Sequence, residues 1–331
     1  MSSLDEIVRL LHSYEGITRK FVLPQIISKL RLSSYQGDQP HSLGEDSAAI
    51  RTNSDEVILL TTDAIIEELC LNHPKAAGFN VVLASVMDIY AAGGVPTSFA
   101  VALSYSDEAV GEELLDGLIE GSNKFRVPIV RGHTNPWANS TYVVGSATGT
   151  VKKDDMLTAG GAVTGDRLVL IFDRVGHRGS SYKLGWDSVT DRSEDDVVSR
   201  LSIMEILACR HLLNAAKDVS VAGMIGTAGM LVEYSGKGGV VDLDAVRESC
   251  PSEISLEDWL RMFISLGFLL AVPEDSLGEV SQLVSDYQMK MCVIGTIDEA
   301  PSLRLRMGRE ERVMFDFSRG PVLTPRSKNE F

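Results

Sequence analysis

Long apolar runs are missing from this sequence. No hydrophobic stretch approaches the roughly 20 residues that a membrane-spanning helix needs. The start, MSSLDEIVRLLHSYEG, carries acids where a secretory signal peptide needs a basic flank followed by an apolar stretch. We therefore expect a cytoplasmic protein without a membrane partner.

Basic residues are also in deficit: 31 Lys and Arg stand against 46 Asp and Glu, which gives a formal net charge of −15. Such a surface repels nucleic-acid phosphates, so we expect no nucleic-acid partner. The four cysteines are far apart in the chain, which fits reduced thiols better than a disulfide framework or a zinc site. The Gly-x4-Gly-Lys-Ser/Thr phosphate loop, the dinucleotide-binding fingerprint, the Gly-x-Ser-x-Gly elbow and the His-Glu-x-x-His motif are absent as well.

What the sequence does contain is an ordinary globular composition, with 44% hydrophobic and 23% charged residues in a chain of 331. This length amounts to about two domains of roughly 150 residues each. Apolar strand-like runs alternate with amphipathic helical stretches in both halves, which predicts an α/β (α+β) fold. We predict a helical segment over residues 1–39, a first domain over 40–156 and a second over 157–331 that begins with a glycine-containing linker.

Several details of the second domain are predicted from local patterns. Helices are expected near residues 195–215 and 219–234 and again over 256–264. From Arg304 onward the chain carries seven basic and four acidic residues. We interpret this stretch as a solvated edge and tail rather than a binding arm. Glycines 223, 226 and 229 recur every third residue, which indicates close packing of a helix face or, alternatively, a helix N-terminus open to a phosphate.

The most informative side chains are carboxylates near the predicted ends of strands. Gly44-Glu45-Asp46-Ser47 places two acids after a glycine, Asp63 ends an apolar strand, and Asp218 precedes a helical pattern. Asp88 lies inside an otherwise apolar helix, where a charge must be paired or must coordinate a cation to offset its desolvation. Structural interpretations stay open: a salt bridge or cap for Asp88, a turn for Asp63 and a helix N-cap for Asp218.

Taken together, these acids predict a site for a hard divalent cation. Oxygen-only ligation without His or Cys is what Mg²⁺ prefers, and Mg²⁺ usually shares its coordination shell with water and substrate phosphates. Phosphate chemistry with magnesium is therefore the leading hypothesis.

Two further loops carry groups suited to an anion. The segment Arg131-Gly132-His133-Thr134-Asn135 follows a predicted strand and offers hydrogen-bonding side chains, although a lone histidine such as His133 is more often a surface or hydrogen-bonded residue than a ligand contact. The loop over 174–196 contains glycines and the cations Arg174, Arg178 and Lys183. These cations suit an acidic substrate, and an ordinary solvent-exposed loop fits the pattern equally well.

In chain order, the segments GEDSAAI, TTDAI, SVMDIYAAGGVP, RGHTN and AAKDVSVAGMIGTAGML resemble the AIR synthase (PurM-like) superfamily. This superfamily includes thiamine-monophosphate kinase, selenophosphate synthetase and a hydrogenase maturation factor. The second half is most similar to the uncharacterised AIR synthase-related proteins. The resemblance implies two domains: an N-terminal mixed sheet that pairs with the sheet of a second subunit in a homodimer, and a C-terminal α/β domain folded against it.

The resemblance also implies a reaction, in which the γ-phosphoryl group of ATP is transferred to a small-molecule substrate and activates it. ATP would lie at the domain and subunit boundary, and the implied Mg²⁺ ligands are Asp46, Asp63, Asp88 and Asp218. The implied catalytic residues are His133 and Asp218. The implied nucleotide-binding residues are Glu45, Ser47, Thr62, Gly132, Thr134, Asn135, Lys217 and Ser220.

Departures from the superfamily pattern keep two alternatives open. Ser85 stands where an Asn commonly precedes the helical Asp by three residues, and Arg131 replaces the first glycine of a Gly-Gly turn. Both departures favour a nucleotide-binding or regulatory protein without turnover. A metal-dependent phosphohydrolase built from the same acids is the other alternative. The sequence does not identify the phosphoryl acceptor.

Overall fold

The computed structural model describes residues 2–35, 39 and 42–326. The chain forms a helical N-terminal segment, a domain with a five-stranded sheet and a domain with a seven-stranded sheet, which confirms the predicted two-domain α/β architecture. The predicted boundary between residues 39 and 40 touches residues outside the described part and stays a prediction. Among the described helices, none combines the length and apolarity needed to cross a membrane.

The N-terminal segment consists of short helices. They are α1 (Leu4–His12), α2 (Glu15–Thr18), a 3-10 turn (Arg19–Val22) and α3 (Leu23–Ser33). α1 begins with a capping box, because the Ser3 hydroxyl accepts a hydrogen bond from the N–H of Glu6 while the Glu6 carboxylate accepts one from the N–H of Ser3. The apolar face of α1 packs into the core of the second domain, although it precedes the first domain in sequence.

The first domain is a mixed sheet with helices on one face. Its elements are β1 (Ala48–Ile50), β2 (Glu56–Ala64), α4 (Glu67–Asn72), α5 (Pro74–Ala91), β3 (Val95–Tyr105), α6 (Glu108–Phe125), β4 (Ile129–Pro136) and β5 (Tyr142–Lys152). The strand order is β1-β2-β5-β3-β4, in which only the β3–β4 pair is parallel. Side chains of β2 alternate between a buried face and an exposed one, as the period of two requires.

The second domain contains the remaining elements. After a 3-10 turn (Lys153–Asp155) they are β6 (Arg167–Phe172), β7 (His177–Arg178), β8 (Gly185–Asp187), α7 (Glu194–Leu201), α8 (Ile203–Cys209), β9 (Ala215–Asp218), α9 (Gly223–Tyr234), β10 (Gly238–Asp242), α10 (Leu243–Ser249), α11 (Leu256–Trp259), β11 (Phe263–Ile264), β12 (Gly267–Val272), a 3-10 turn (Glu274–Ser276), α12 (Leu277–Asp286), β13 (Lys290–Asp298), β14 (Ser302–Met307) and β15 (Glu310–Asp316). The main sheet has the order β15-β14-β10-β13-β6-β12-β9, and β11-β8-β7 form a small second sheet. β12 is buried along its whole length because helices or loops cover both faces.

The helix predicted near 195–215 is wrong at its C-terminal end. The second helix of this stretch, α8, ends at Cys209. Ala215 begins β9, an edge strand of the main sheet that pairs with β12. Four residues are too few to show a period of two, so the pattern of alternating faces was not visible. The consequence is functional, because β9 ends at Asp218.

One further expectation for this domain is wrong, and another is confirmed in part. The helix predicted over 256–264 stops at Trp259, and Phe263 and Ile264 form β11. The prediction of a solvated edge from Arg304 onward is confirmed for β15, a largely exposed edge strand of the main sheet, but β14 lies inside the sheet and Arg304 pairs with Asp298. The last five residues, 327–331, lie outside the described part of the chain. A charged strand at the edge of a sheet resembles a polar tail in sequence, since one face of it remains in solvent.

Helices α5 and α6 approach each other at glycines. A Cβ on Gly117 would lie 2.0 Å from the carbonyl oxygen of Lys75, and a Cβ on Gly78 would lie 2.1 Å from the carbonyl oxygen of Leu114. Side chains cannot occupy such positions, so this backbone contact requires glycine on both helices. The contact matters for the site because α5 carries Asp88.

We expect Gly117→Ala to lower the free energy of unfolding by about 1–3 kcal/mol, since α5 and α6 must move apart to admit a methyl group. Chemical denaturation measures this change. Gly278→Ala is the matched control, because Gly278 lies in α12 and a methyl group added there would have no atom within 4 Å. The control should be unchanged or more stable by up to about 1 kcal/mol. Equal losses in both variants would contradict the close helix contact.

Candidate active site

A cavity of about 1380 Å³ opens between the two domains. Its walls come from the N-terminal helical segment, β2, α5, the turn between β7 and β8, and the end of β9. The site residues predicted from the sequence that line it are Glu45, Asp46, Thr62, Asp63, Asp88, Lys217, Asp218 and Ser220. The structure thus brings most of the predicted site together.

Three carboxylates form the centre of this cavity. Asp46 lies in the loop before β1, Asp88 lies on α5, and Asp218 is the last residue of β9. One oxygen of each lies within 4.8 Å of the others. Asp63, on β2, lies beside them, and its carboxylate accepts a hydrogen bond of 3.0 Å from the Ser85 hydroxyl. Residues from both domains are therefore needed to assemble the group.

Raised pKa values show that bringing these acids together costs free energy. Burial, followed by the charge of Asp46, raises the pKa of Asp218 to about 8. Burial and the neighbouring charges of Asp63 and Asp218 likewise raise the pKa of Asp88. Three carboxylates, two of which have raised pKa values, offer only oxygen ligands. Such a group fits a hard divalent cation such as Mg²⁺, whose charge offsets the repulsion among the carboxylates.

Lys217 is the buried cation of the site. Its Nζ donates a hydrogen bond to Asp46, and only 4% of its side chain is exposed. Burial alone lowers the pKa of Lys217, but the carboxylates of Asp46 and Glu45 outweigh burial and raise it, so the lysine stays charged. Because Lys217 and Asp46 belong to different domains, this ion pair joins the domains at the site.

Asp88 is held by a residue outside the predicted site, Thr61. The Thr61 hydroxyl donates a hydrogen bond to the Asp88 carboxylate. Within residues 2–35, 39 and 42–326 no basic side chain forms an ion pair with Asp88, so the salt-bridge interpretation is wrong. The alternation of buried and exposed side chains along β2 could have indicated Thr61, because it places Thr61 and Asp63 on the same inward face.

The structural interpretations of two other acids are also wrong. Asp63 lies within β2 and forms no turn, since the strand continues to Ala64. Asp218 is not a helix N-cap, because Ala222 occupies that position before α9.

Two of the predicted nucleotide-binding residues have positioning roles in the single chain. The Glu45 carboxylate accepts a hydrogen bond of 2.9 Å from the N–H of Ala159 in the interdomain linker, and burial raises the pKa of Glu45 to about 7. The Ser47 hydroxyl donates to the carbonyl oxygen of Asp88 at 3.1 Å and does not line the cavity. Both residues tie the loop that carries Asp46 to its surroundings.

The segment around His133 lies elsewhere in the single chain. Gly132, His133, Thr134 and Asn135 belong to the exposed edge strand β4, and none of them lines the cavity as formed by the described residues. Asn135 donates a hydrogen bond of 3.1 Å to the Tyr142 hydroxyl. Their predicted contact with a nucleotide stays a prediction.

The loop over 174–196 reaches the cavity through uncharged residues and Asp187 rather than through Arg174, Arg178 or Lys183. Residues 179–182 line the cavity, whereas Arg178 pairs with Asp258 at 2.7 Å. Arg174 and Lys183 are exposed and do not line it. The expectation that these three cations face a substrate is therefore wrong for the single chain.

The glycines of α9 serve close packing. A Cβ on Gly226 would lie 2.6 Å from the Cβ of Ala222, and a Cβ on Gly229 would lie 2.6 Å from the Phe315 ring. At the start of the helix, Gly223 faces the backbone of Leu260 and Arg261. The packing interpretation is confirmed, and the alternative of a helix N-terminus open to a phosphate is not supported.

The N-terminal segment supplies cavity residues that no sequence motif indicated. Tyr14, Arg19 and Lys20 all line the cavity. No motif identified them, because they lie before the first acidic motif and in helices that looked merely amphipathic. Only the folding of this segment onto the second domain brings them to the site.

The raised pKa of Asp218 predicts a dependence of stability on pH. The folded protein binds this proton more tightly than the unfolded chain does, so the stability of the metal-free protein should fall as pH rises toward about 8. Asp218→Asn removes this loss. We expect its melting temperature at pH 8 to exceed that of the wild type, with a shallower pH dependence. The exposed Asp275→Asn is the control and should follow the wild type. A melting curve of Asp218→Asn that keeps the wild-type pH slope would contradict the assignment.

Comparisons with known proteins extend over both domains. The family model for the AIR synthase related protein, N-terminal domain, matches residues 44–151, and that for the C-terminal domain matches residues 163–308. Uncharacterized protein MJ0640 of Methanocaldococcus jannaschii is 33% identical over 319 residues, which cover 96% of this chain and 98% of that protein. Thiamine-monophosphate kinase of Pyrococcus horikoshii is 24% identical over 290 residues, which cover 82% of this chain and 88% of the kinase.

Solved structures share the fold. T. maritima PurL complexed with FGAR superposes with a TM-score of 0.75 at 14% identity and covers 99% of this chain and 55% of PurL. AaThiL complexed with AMPPCP and TMP gives a TM-score of 0.63 at 17% identity, covering 95% of this chain and 99% of AaThiL. The predicted superfamily and its PurM-like two-domain fold are confirmed. By its matches in sequence over both domains, this chain belongs to the AIR synthase-related family.

Proposed function

We propose that this protein is a Mg²⁺-dependent, ATP-using enzyme that transfers the γ-phosphoryl group to a small-molecule substrate. The observation that carries the proposal is the group of Asp46, Asp88 and Asp218 on the wall of a large interdomain cavity. The relatives support the nucleotide: AaThiL is complexed with AMPPCP, and T. maritima PurL with ATP. A thiamine-monophosphate kinase among the relatives supports phosphoryl transfer.

Each residue of the site has a proposed task. Asp46, Asp88 and Asp218 would hold Mg²⁺, with Asp63 beside them. A bound Mg²⁺ would supply charge neutralisation for the phosphates of ATP. Lys217 holds Asp46 in place through its hydrogen bond and ion pair. Catalysis of this type relies mainly on positioning and charge neutralisation, which this arrangement provides without a covalent nucleophile.

Asp218 is also the proposed catalytic residue of this chain. Its carboxylate has an oxygen within 4.8 Å of oxygens of Asp46 and Asp88, so it would position the metal against the phosphates of ATP. Ser220, two residues further on, lines the same cavity and offers a hydroxyl for a nucleotide phosphate. Thr62 lines it too, with its hydroxyl 2.9 Å from that of Ser146.

We further propose that the protein is a homodimer, assembled through the open face of the first domain's sheet. Ile58 and Leu60 of β2 are 38% and 37% exposed on that face. The strand register places Arg131 in the same row as Thr62, so β4 presents Arg131 and, two residues on, His133 to the same face. A role for His133 in catalysis therefore requires this second subunit.

Incubation with Mg²⁺-ATP and pooled small metabolites, followed by detection of ADP, tests the reaction. ADP that forms only when a metabolite is added supports phosphoryl transfer. Tight nucleotide binding without ADP would instead indicate the silent binding protein. Phosphate release without any acceptor would indicate the phosphohydrolase.

Asp63→Asn and Asp88→Asn should each weaken Mg²⁺-ATP binding about tenfold or more, because they remove charge that holds the metal while preserving side-chain volume. Isothermal titration calorimetry measures the affinity, and Asp275→Asn serves as the exposed control. Circular dichroism should show an unchanged fold. Wild-type affinity in both site variants would refute the metal assignment.

For the dimer, Ile58→Glu should give a monomer in analytical ultracentrifugation, because it buries a charge in the proposed interface. Val313→Glu places the same charge at a 50% exposed position of β15 on the second domain. This control should keep the mass of the wild type. A wild-type protein that sediments as a monomer at micromolar concentration would disprove the interface.

A further inference from the structure

Four basic side chains line the cavity, and only two of them form ion pairs with described residues. Lys75 and Lys217 are each paired with a carboxylate, Glu120 and Asp46 respectively. For Arg19 and Lys20, the described part of the chain supplies neither a side-chain hydrogen bond nor an ion pair. The cavity therefore contains two cations whose charge is not neutralised by a partner in contact.

Lys20 is better placed than Arg19 to bind an anion in the cavity. It is half-buried in the 3-10 turn that follows α2, whereas Arg19 is exposed at the rim. Burial lowers the pKa of Lys20, and the neighbouring charges of Arg19 and Lys217 lower it further, whereas the charges of Asp218 and Asp46 act in the opposite direction. A partly desolvated ammonium group is stabilised by an anion that makes charge-assisted hydrogen bonds to it.

The turn between β7 and β8 stands beside the same segment. The Tyr182 hydroxyl of this turn lies 3.4 Å from the hydroxyl of Tyr14, which in turn donates to the carbonyl oxygen of Val221 at 2.7 Å. Ser181 precedes Tyr182, lines the cavity and is half-buried. Its hydroxyl makes no hydrogen bond to another residue in the described ranges, so a donor is available close to the segment that carries Lys20.

The size of the cavity leaves room for more than a nucleotide. Pockets for one small ligand are typically about 300–1,000 Å³, and this cavity measures about 1380 Å³. Asp46, Asp63 and Asp88 belong to the first domain, whereas Lys20 belongs to the N-terminal segment, which also lines the cavity with Glu15. The volume therefore leaves room for a second molecule beside the metal-binding wall.

We infer that Lys20, with Arg19 and Ser181, forms a subsite for an anionic group, a phosphate or a carboxylate, on the acceptor that receives the phosphoryl group. The inference rests on the proposed function. It deepens that proposal by naming the substrate class, an anionic small molecule. The residue that recognises it lies before the part of the chain matched by the family's N-terminal domain, residues 44–151.

Calorimetric titration of inorganic phosphate tests the subsite, both with nucleotide-free protein and with protein saturated with Mg²⁺-AMPPCP. We expect phosphate to bind in both conditions. Lys20→Met should weaken this binding at least about tenfold, as the loss of a charged hydrogen bond implies. Lys20→Arg should retain most of it. Lys29→Met, an exposed lysine of α3 that does not line the cavity, should behave as the wild type. Mg²⁺-AMPPCP affinity should change less than twofold in every variant.

The outcomes separate the possible sources of an anion. Phosphate that fails to bind the nucleotide-loaded wild type, or that binds Lys20→Met as tightly as the wild type, overturns the subsite. A tenfold loss of Mg²⁺-AMPPCP affinity in Lys20→Met, together with competition between phosphate and nucleotide, assigns Lys20 to the nucleotide and also overturns it. If the wild type does not bind Mg²⁺-AMPPCP at all, the proposed function fails. The phosphate titration of nucleotide-free protein then decides the subsite alone.

Discussion

Repulsion among buried carboxylates is the constraint on which the rest of this structure depends. Asp46, Asp88 and Asp218 place oxygens within 4.8 Å of one another, and the pKa values of Asp88 and Asp218 are raised as a result of burial and shared charge. Such a group opposes folding unless a cation is bound, so the surrounding packing must hold it in place. The glycine contact between α5 and α6 and the pairing of β9 with β12 provide that support.

Neither domain contains the site by itself. The first domain supplies Asp46 and Asp88, the second supplies Lys217 and Asp218, and the ion pair from Lys217 to Asp46 crosses between them. The N-terminal segment adds a third wall, since α1 is anchored in the core of the second domain while Lys20 reaches the cavity. A change in the relative position of the domains would therefore alter the metal-binding group directly.

Two residues that depart from the superfamily pattern occupy different places in the structure. Ser85, where an Asn is common, is fully buried and donates its hydroxyl to Asp63, so the position still orients an acid of the site. Arg131 lies on the exposed edge strand β4 and lines no part of the cavity formed by the described chain. The first departure is compatible with a working site, and the significance of the second depends on the proposed second subunit.

The sequence by itself determined the alternation of strands and helices and the acids of the site, because a long apolar helix such as α5 and a carboxylate inside it leave a clear local pattern. It could not determine β9, whose four residues show no period, or the partners of each acid. Only the tertiary structure shows that Thr61 donates a hydrogen bond to Asp88, that Lys20 lines the cavity and that His133 lies on an exposed edge strand away from it. The physical reason is that hydrogen bonds and charge contacts between residues far apart in the chain depend on how the domains pack, which no local pattern records.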